Sequence, residues 1–346
     1  MISELQSIGS TPSFSVMRPI QGVATRLRRL VGSAKARPIP DRLARFDSPE
    51  FLAKTESLAD PWLREHALNV LKDGYTVIEN AVPEKIVDVA LTTFFEWKER
   101  NRQRFLPEFY KQGCFLDRVV NFQNVFDEFK ALFACNQSLV LQDYLFGSPA
   151  TCYTSLFFEA ATQQAIHRDI TYFWTCPAYM YFGMWTALEE VTLENGPLTV
   201  VPGSHRIGDI DRRRIVQDKY SRKSVPRRDR DLAVEYQRLV LERCDDMGLQ
   251  PKQLPVPKGA TIVWHPLLAH GGAAVLDLQK SRLSFVVHTT PKHVPVYQHD
   301  VFFQPDKPVA KRAAWPYSDY AGRSIAQTGG LSIGHKMPDY DFLSLV

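Results

Sequence analysis

His167 and Asp169 stand two positions apart, and His270 opens a His-Gly-Gly run later in the chain. Two histidines and one carboxylate on the same face of a metal ion leave several coordination positions open, which is the arrangement of non-haem Fe(II) oxygenases. A His-x-Asp pair alone is weak evidence, because two fixed residues recur by chance and also suit a surface turn. His167, Asp169 and His270 are therefore candidate metal ligands whose support has to come from the rest of the chain.

An arginine twelve positions after His270 adds a second chemical function to this set. The planar guanidinium of Arg282 can hold both oxygens of a carboxylate, which suits a co-substrate that carries one. Strand alternation places Arg282, Ser284 and His288 on one face of the last predicted strand. An inward-facing arginine among apolar neighbours needs an anionic partner.

The periodicity of apolar residues and the positions of turn residues predict the elements that hold these side chains. We expect helices at Pro61–Lys72, with Asp60 as N-cap, at Pro83–Arg102, and twice within residues 121–146. Strands are expected at Tyr75–Glu79 and, from Cys152 onward, at 153–158, 179–188, 197–202, 260–265 and 282–290. Many short strands with flanking helices favour a mainly β fold, the double-stranded β-helix or cupin-like jelly roll.

One domain is expected over residues 51–346, with a charged insertion at about 206–255 that interrupts the strands. The insertion is strongly charged, and acids offset much of the charge of its basic residues, which include Arg212, Arg213, Arg214, Arg222, Lys223, Arg227, Arg228 and Arg230. Its second half, Asp231–Met247, is predicted to be a helix. Two hypotheses remain open, a solvated insertion and a lid or recognition element for a phosphate or another acidic substrate.

The overall composition excludes several classes of protein. A chain of 346 residues with 45% hydrophobic residues can bury a sizeable core, and a formal charge of +4 does not by itself argue for nucleic acid. The five cysteines lack C-x-x-C spacing, so neither a disulfide framework nor a zinc site is indicated. We expect a cytoplasmic protein, since no apolar run reaches the ~18 residues that span a bilayer and the N-terminus lacks a secretory signal pattern.

Residues 1–50 are rich in arginine and poor in acids, and we expect them to form a basic, poorly ordered extension. Apolar residues at near-helical spacing among the arginines leave a second hypothesis, an amphipathic helix in peripheral contact with a membrane or a partner. An organelle transit peptide is a third. The sequence gives no oligomeric state.

Several motifs in order along the chain resemble the phytanoyl-CoA dioxygenase family. The resemblance extends over roughly residues 60–295, and its motifs are specific in combination. They are Leu-Lys-Asp-Gly-Tyr-Thr-Val-Ile at 71–78, Ile-His-Arg-Asp-Ile at 166–170, Met-Trp-Thr-Ala-Leu-Glu-Glu at 184–190, Glu-Asn-Gly-Pro-Leu at 194–198, Pro-Gly-Ser-His at 202–205, and Lys-Gly-Ala-Thr-Ile-Val-Trp-His at 258–265.

The resemblance implies the cofactors and a role for individual residues. Members of the family use Fe(II), with 2-oxoglutarate and O2 as co-substrates. His167, Asp169 and His270 match the iron ligands, Arg282 matches the anchor for the 2-oxoglutarate carboxylate, and Trp185 matches a tryptophan that lines the co-substrate pocket. Several relatives carry Ser or Thr two positions after the distal histidine, where this chain has Gly272. Ser284 or Tyr153 is expected to supply the missing hydroxyl.

The resemblance also helps to decide which histidine of the second His-containing segment is the candidate metal ligand. His265 is the one serious rival to His270, and Pro266 separates the two. The family pattern and the small Gly271-Gly272 pair favour His270. His205 is expected to be structural and His288 to be a pocket or core residue.

The implied activity is that of a 2-oxoglutarate-dependent dioxygenase, with succinate and CO2 as co-products. Hydroxylation of an unactivated carbon is the usual outcome, while desaturation, cyclisation and epoxidation use the same apparatus. A catalytically silent family member that acts as a binding or scaffold protein is the alternative. The substrate is expected to be small or lipid-like, and the basic segments favour an acidic one.

Overall fold

Two β-sheets lie at the centre of the part of the chain that the computed structural model describes. That part comprises residues 44–102, 118–220, 225–309 and 315–333, with the backbone of two further short strands at 110–111 and 114–115. The strands are β1 (Tyr75–Ile78), β2 (Tyr110–Lys111), β3 (Cys114–Phe115), β4 (Val119–Val120), β5 (Ala150–Phe158), β6 (Trp174–Thr175), β7 (Phe182–Ala187), β8 (Leu198–Val200), β9 (Lys252–Leu254), β10 (Thr261–Trp264), β11 (His270–Gly272), β12 (Ser284–Pro291), β13 (Val296–Tyr297), β14 (Tyr317–Tyr320), β15 (Arg323–Ala326) and β16 (Ser332–Ile333).

The larger sheet has the strand order β1-β10-β7-β12-β5-β15-β14, and β4 joins its β5 to β16. Its central pairs are antiparallel, whereas β15 meets β5 in parallel. The smaller sheet has the order β11-β8-β9. Apolar residues from both sheets, including Trp185, Ile262, Val286, Leu198 and Val200, form one buried cluster. Two sheets that share an apolar layer form the double-stranded β-helix that the sequence predicts.

Helices cover the other face of the larger sheet. The helices of the described residues are α1 (Pro49–Glu56), α2 (Pro61–Asp73), α3 (Glu84–Arg100), α4 (Asp127–Ala134), α5 (Ser138–Phe146), α6 (Arg212–Tyr220), α7 (Arg230–Asp246) and α8 (His299–Phe302). Strand alternation turns Phe157 and Phe285 toward this side. The ring of Phe94 on α3 lies 4.2 Å from that of Phe157, and Phe129 on α4 lies 5.5 Å from Phe285.

The first predicted helix shows how local sequence sets an element. Asp60 accepts a hydrogen bond from the backbone of Leu63 at 3.0 Å, and Pro61 occupies the first turn. The helix ends at Gly74, whose φ of 86° favours glycine. A Cβ at Gly74 would lie 2.7 Å from both His205 and Leu268, so glycine also allows the chain to enter β1 beside these side chains.

The sequence places the N-terminal boundary of the fold too late. Residues 44–50 were predicted to lie in the basic extension, but Ala44 and Phe46 are buried. The ring of Phe46 lies 5.0 Å from that of Phe182 and 5.5 Å from that of His265, so Phe46 packs this segment against the core. The described residues from Ala44 onward belong to one compact unit. The rest of the predicted extension, with its hypotheses of membrane contact, lies outside the described residues.

The charged insertion is largely helical. The predicted helix at 231–247 is confirmed as α7, and a second helix, α6, precedes it. The predicted limit at 255 is too late, because Lys252–Leu254 pair with β8 as the edge strand of the smaller sheet. Within the described residues, no helix is both long and apolar enough to cross a membrane.

Candidate active site

The three candidate metal ligands come together although one of them is far away in sequence. Donor atoms of His167, Asp169 and His270 all lie within 4.8 Å of one another. Nε2 of His167 is 3.3 Å from Oδ1 of Asp169, and Nε2 of His270 is 3.4 Å from Oδ2. Three donors about 2.1 Å from one ion, at right angles to each other, would lie roughly 3 Å apart. The cluster therefore has the size that a single metal ion requires.

Backbone pairing brings the two histidines together. His167 and His270 form an isolated antiparallel bridge, with N–O distances of 2.8 and 2.9 Å, and His270 continues into β11. Gly271 makes this approach possible, because a Cβ there would lie 2.6 Å from the carbonyl oxygen of Gln164. The small residues beside His270 thus have a steric role in bringing the His167 segment close.

Both histidines have the hydrogen bonds that metal ligands typically have. Nδ1 of His167 lies 2.9 Å from the carbonyl oxygen of Ala165, and Nδ1 of His270 lies 3.1 Å from that of Leu268. Donation from Nδ1 to a carbonyl leaves the Nε2 lone pair available for a metal. Both Nε2 atoms point to Asp169, as the distances above show.

The helix α7 of the insertion holds the segment between the ligands. The side chain of Gln237 accepts a hydrogen bond from the backbone N–H of Arg168 at 2.8 Å and donates one to its carbonyl at 3.0 Å. The buried guanidinium of Arg168 donates to the carbonyl of Ser204 and to the Tyr236 hydroxyl. These contacts fix the backbone between His167 and Asp169, so the insertion supports the site directly.

Two further nitrogens surround the carboxylate of Asp169. Nε2 of His288 lies 3.0 Å from Oδ2, and the indole Nε1 of Trp264 donates to the same oxygen at 3.3 Å. Burial alone would raise the pKa of Asp169, but the neighbouring His270 and His288 hold it well below its usual range. The carboxylate is therefore ionised, and hydrogen bonds from His288 and Trp264 orient it.

A glycine in the larger sheet makes room for these two donors. Gly183 pairs with Trp264 on one side and with His288 on the other. A Cβ at Gly183 would lie 2.0 Å from the Trp264 ring, so the indole lies over the glycine. The His288 ring stacks on Phe173 at 4.0 Å with an interplanar angle of 13°.

Arg282 lies in the same cavity, and its guanidinium is incompletely satisfied. Its side chain is 5% exposed, it donates to Ser284 Oγ at 3.2 Å, and its Nε has no partner among the described residues. The guanidinium lies 5.4 Å from the ring of Trp185 and 5.9 Å from that of Phe158. Burial lowers the pKa of Arg282 to about 10, partly offset by Glu189, so the group remains charged at neutral pH.

This environment fits a carboxylate co-substrate. A buried cation with an unpartnered N–H is stabilised by an anion that accepts its free hydrogen bonds. Ser284 supplies a hydroxyl next to the guanidinium, while Tyr153 lines the same cavity. A Cβ at Gly272 would lie 3.2 Å from two backbone nitrogens of residues 163 and 164, so the position of the family's hydroxyl residue is crowded here.

One cavity of about 1110 Å³ connects these groups. His167, Asp169, His270, Arg282, Trp185 and Tyr153 all line it. His265 does not belong to this set, because its Nε2 lies 3.0 Å from Oδ1 of Asp47 and its Nδ1 accepts a hydrogen bond from the backbone of Leu267. His265, the alternative to His270, is therefore bound by the N-terminal segment and lies outside the ligand cluster.

Sequence reasoning did not identify Trp264, Gln237 or the contact of His288 with Asp169. Alternation did place His288 on the face of Arg282, and Gly183 within an aromatic strand was the available signal for a close approach. No local pattern indicates the Gln237 contact.

Comparison with known proteins assigns these features to one family. Residues 70–282, more than half of the chain, match the family model of phytanoyl-CoA dioxygenase (PhyH). A phytanoyl-CoA dioxygenase domain-containing protein 1 from Bos taurus is 29% identical over 147 residues, which are 41% of this chain and 44% of the relative. The protein of the same name from Danio rerio is 33% identical over 110 residues, 31% of this chain and 33% of the relative. The chain thus matches less than half the length of these curated relatives.

Solved structures share the fold at low identity. EctD from S. alaskensis, crystallised with 2-oxoglutarate and 5-hydroxyectoine, has a TM-score of 0.52 and 15% identity over 86% of this chain and 97% of that protein. The epimerase SnoN from nogalamycin biosynthesis, in complex with Fe3+, alpha ketoglutarate and nogalamycin RO, has a TM-score of 0.50 and 21% identity over 78% and 97% of the two chains. These likenesses establish the common double-stranded β-helix.

Proposed function

The chain belongs to the phytanoyl-CoA dioxygenase family, and from that premise we propose that it is an Fe(II)- and 2-oxoglutarate-dependent dioxygenase. Its substrate is a small or lipid-like organic molecule with an unactivated carbon, which the enzyme hydroxylates. Succinate and CO2 are the co-products. The observation that carries the proposal is the convergence of His167, Asp169, His270 and the incompletely satisfied Arg282 on one cavity.

The chain's own residues have separate tasks in this proposal. His167, Asp169 and His270 hold the iron, while His288 and Trp264 orient the carboxylate of Asp169. Arg282 and Ser284 bind the distal carboxylate of 2-oxoglutarate, and the apolar rings of Trp185 and Phe158 keep water from that pair. Bound Fe(II), with 2-oxoglutarate and O2, supplies the oxidising power that removes hydrogen from a substrate carbon.

The reaction that follows hydrogen removal depends on how the substrate lies in the cavity. The solved relatives include an epimerase and a protein crystallised with 5-hydroxyectoine, so the fold accommodates different outcomes. The carboxylate of Asp169 in the ligand set supports an oxidation of the substrate, and we propose hydroxylation because it is the usual outcome of this chemistry. Desaturation, cyclisation and epoxidation are the other reactions of this apparatus.

Two measurements on the purified full-length chain test the proposal. Anaerobic calorimetry should show one Fe(II) bound per chain, with binding lost in His270→Ala and retained in the matched control His293→Ala, which removes an exposed histidine. Succinate should form from 2-oxoglutarate in the iron-loaded protein. Iron binding without succinate formation in the presence of candidate substrates would favour a catalytically silent binding protein.

A further inference from the structure

The exposed part of the cavity is lined by positive charge. Arg118, Arg227 and Arg228 line it, and the carboxylate among its described lining residues is that of Asp169, inside the ligand cluster. We propose, on the basis of the proposed function, that the substrate is an organic anion. In this proposal Arg227 and Arg228 bind a phosphate or carboxylate group of the substrate, and its apolar part extends to the His167–Asp169–His270 cluster.

Arg227 and Arg228 have free hydrogen-bonding capacity. Both are exposed, and neither forms an ion pair with a described carboxylate. Arg228 donates its Nε to the amide oxygen of Gln298 at 3.1 Å, a neutral partner that leaves its charge uncompensated. Two adjacent guanidinium groups at a cavity mouth can form bidentate hydrogen bonds with a phosphate or carboxylate.

Other basic residues of the insertion are compensated by acids. Arg213 pairs with Asp306 at 2.5 Å, Lys219 contacts Asp229 and Asp231, and Arg238 lies between Glu235 and Glu242. None of these three basic residues lines the cavity. Arg227 and Arg228 therefore differ from these residues in two respects, since they line the cavity and have no acidic partner among the described residues.

Neighbouring contacts hold the two arginines in place. The backbone N–H of Asp229 donates to Nδ1 of His299 at 2.7 Å, and its carboxylate caps α7 by accepting from Leu232 at 3.0 Å. The same carboxylate accepts a hydrogen bond from the Tyr220 hydroxyl. Val225, two residues before Arg227, is buried. Fixed flanking residues on both sides reduce the entropy that the arginines lose on binding an anion.

Aromatic rings line the same cavity as the arginines and the ligand cluster. The Tyr172 ring lies 4.5 Å from the His299 ring at an interplanar angle of 54°, and Phe173, Tyr153 and Trp315 line the cavity as well. Burial raises the pKa of Tyr172, whereas the positive charges of Arg228, Arg118 and Arg230 act in the opposite direction. The mouth thus offers a positive rim and an apolar, aromatic wall, a combination that suits an anion with an apolar body.

Binding of phenyl phosphate to the metal-free full-length chain tests this inference. We expect it to bind more tightly than the neutral benzyl alcohol and the cationic phenyltrimethylammonium. The double variant Arg227→Gln/Arg228→Gln should weaken phenyl phosphate binding at least tenfold. The control Arg214→Gln/Arg243→Gln also removes two positive charges, from exposed arginines of α6 and α7. It should change the affinity for phenyl phosphate less than twofold. Phenylacetate, measured in parallel, distinguishes a carboxylate from a phosphate preference.

Arg282→Leu separates this inference from the proposed function. It should weaken 2-oxoglutarate binding by about 30-fold or more and leave phenyl phosphate binding unchanged. Loss of phenyl phosphate binding in Arg282→Leu would overturn the inference, because the probe would then occupy the co-substrate position. Equal binding of benzyl alcohol, or equal losses in both arginine pairs, would also overturn it. If 2-oxoglutarate did not bind but phenyl phosphate binding still depended on Arg227 and Arg228, the proposed function would be contradicted and this inference would stand.

Discussion

The carboxylate of Asp169 and the guanidinium of Arg282 are both buried in the same cavity, but their surroundings differ. Four nitrogens of this chain lie within 3.4 Å of Asp169, from His167, His270, His288 and Trp264. Arg282 has one side-chain hydrogen bond, to Ser284, and its Nε has no described partner. The side chains of His288 and Trp264 thus supply hydrogen-bond donors to the negative charge, whereas the positive charge has one neutral side-chain partner among the described residues.

This difference indicates which part of the site is organised before ligands bind. A carboxylate that accepts hydrogen bonds from His288 and Trp264 keeps its orientation, so iron binding requires little rearrangement. A buried cation with few partners is costly in the free protein, and an anion that pairs with it gains affinity from relieving that cost. Mutations around Asp169 should therefore affect metal binding, and mutations around Arg282 should affect co-substrate binding.

The largest effect is expected for Asp169→Ala, which removes the only carboxylate of the ligand set. Iron affinity should fall by more than about 100-fold, since even the loss of a residue that only orients a ligand costs 10- to 100-fold. Anaerobic calorimetry with Fe(II) measures it, with the exposed Asp209→Ala as the matched control. Retained iron affinity would mean that the metal site lies elsewhere.

Arg282→Leu should weaken the binding of 2-oxoglutarate and leave the binding of Fe(II) unchanged. Loss of the partner of a buried carboxylate costs about 2–5 kcal/mol, or roughly 30-fold to several thousandfold in 2-oxoglutarate affinity. The stability of the ligand-free protein should not fall, because the variant removes a buried charge with few partners. Titration of 2-oxoglutarate and a thermal melt check both statements. A large loss of Tm without ligand would show that Arg282 is already compensated in the free protein.

His288 tests whether orientation of Asp169 matters apart from its charge. His288→Leu removes the 3.0 Å contact to Oδ2 and should weaken iron binding about 10- to 100-fold. His288→Gln retains an N–H donor and should restore part of that affinity, whereas a purely structural role in stacking on Phe173 would not distinguish the two variants. Calorimetry with Fe(II) and a melt of each variant separate these explanations. Equal iron affinity in both variants would contradict the positioning role.

Sequence patterns predict this site to different extents. Strand alternation predicts that Arg282, Ser284 and His288 share one face, and residue type together with motif order predicts the candidate metal ligands. The contact of Gln237 with the Arg168 backbone could not be predicted, since it joins residues 69 positions apart through helix packing. The same holds for Phe46, a single apolar residue in a basic segment, and for Arg227 and Arg228, which the charge pattern does not distinguish from their paired neighbours. Long-range packing, which local patterns do not encode, selects these residues.

The smallest effect is expected for Ser284→Ala, next to Arg282 in the proposed 2-oxoglutarate site. Ser284 is fully buried, and its Oγ accepts from Arg282 at 3.2 Å. A hydrogen bond to a charged group contributes about 1.5–3 kcal/mol, but a bound carboxylate takes over part of this partner's role. We therefore expect 2-oxoglutarate affinity to fall by about tenfold, less than in Arg282→Leu, with iron affinity unchanged. In the double variant Arg282→Leu/Ser284→Ala the serine should have little further effect, because its hydroxyl acts through the guanidinium. Full additivity of the two losses would instead mean that Ser284 binds the co-substrate carboxylate independently, in the place of the hydroxyl that Gly272 lacks.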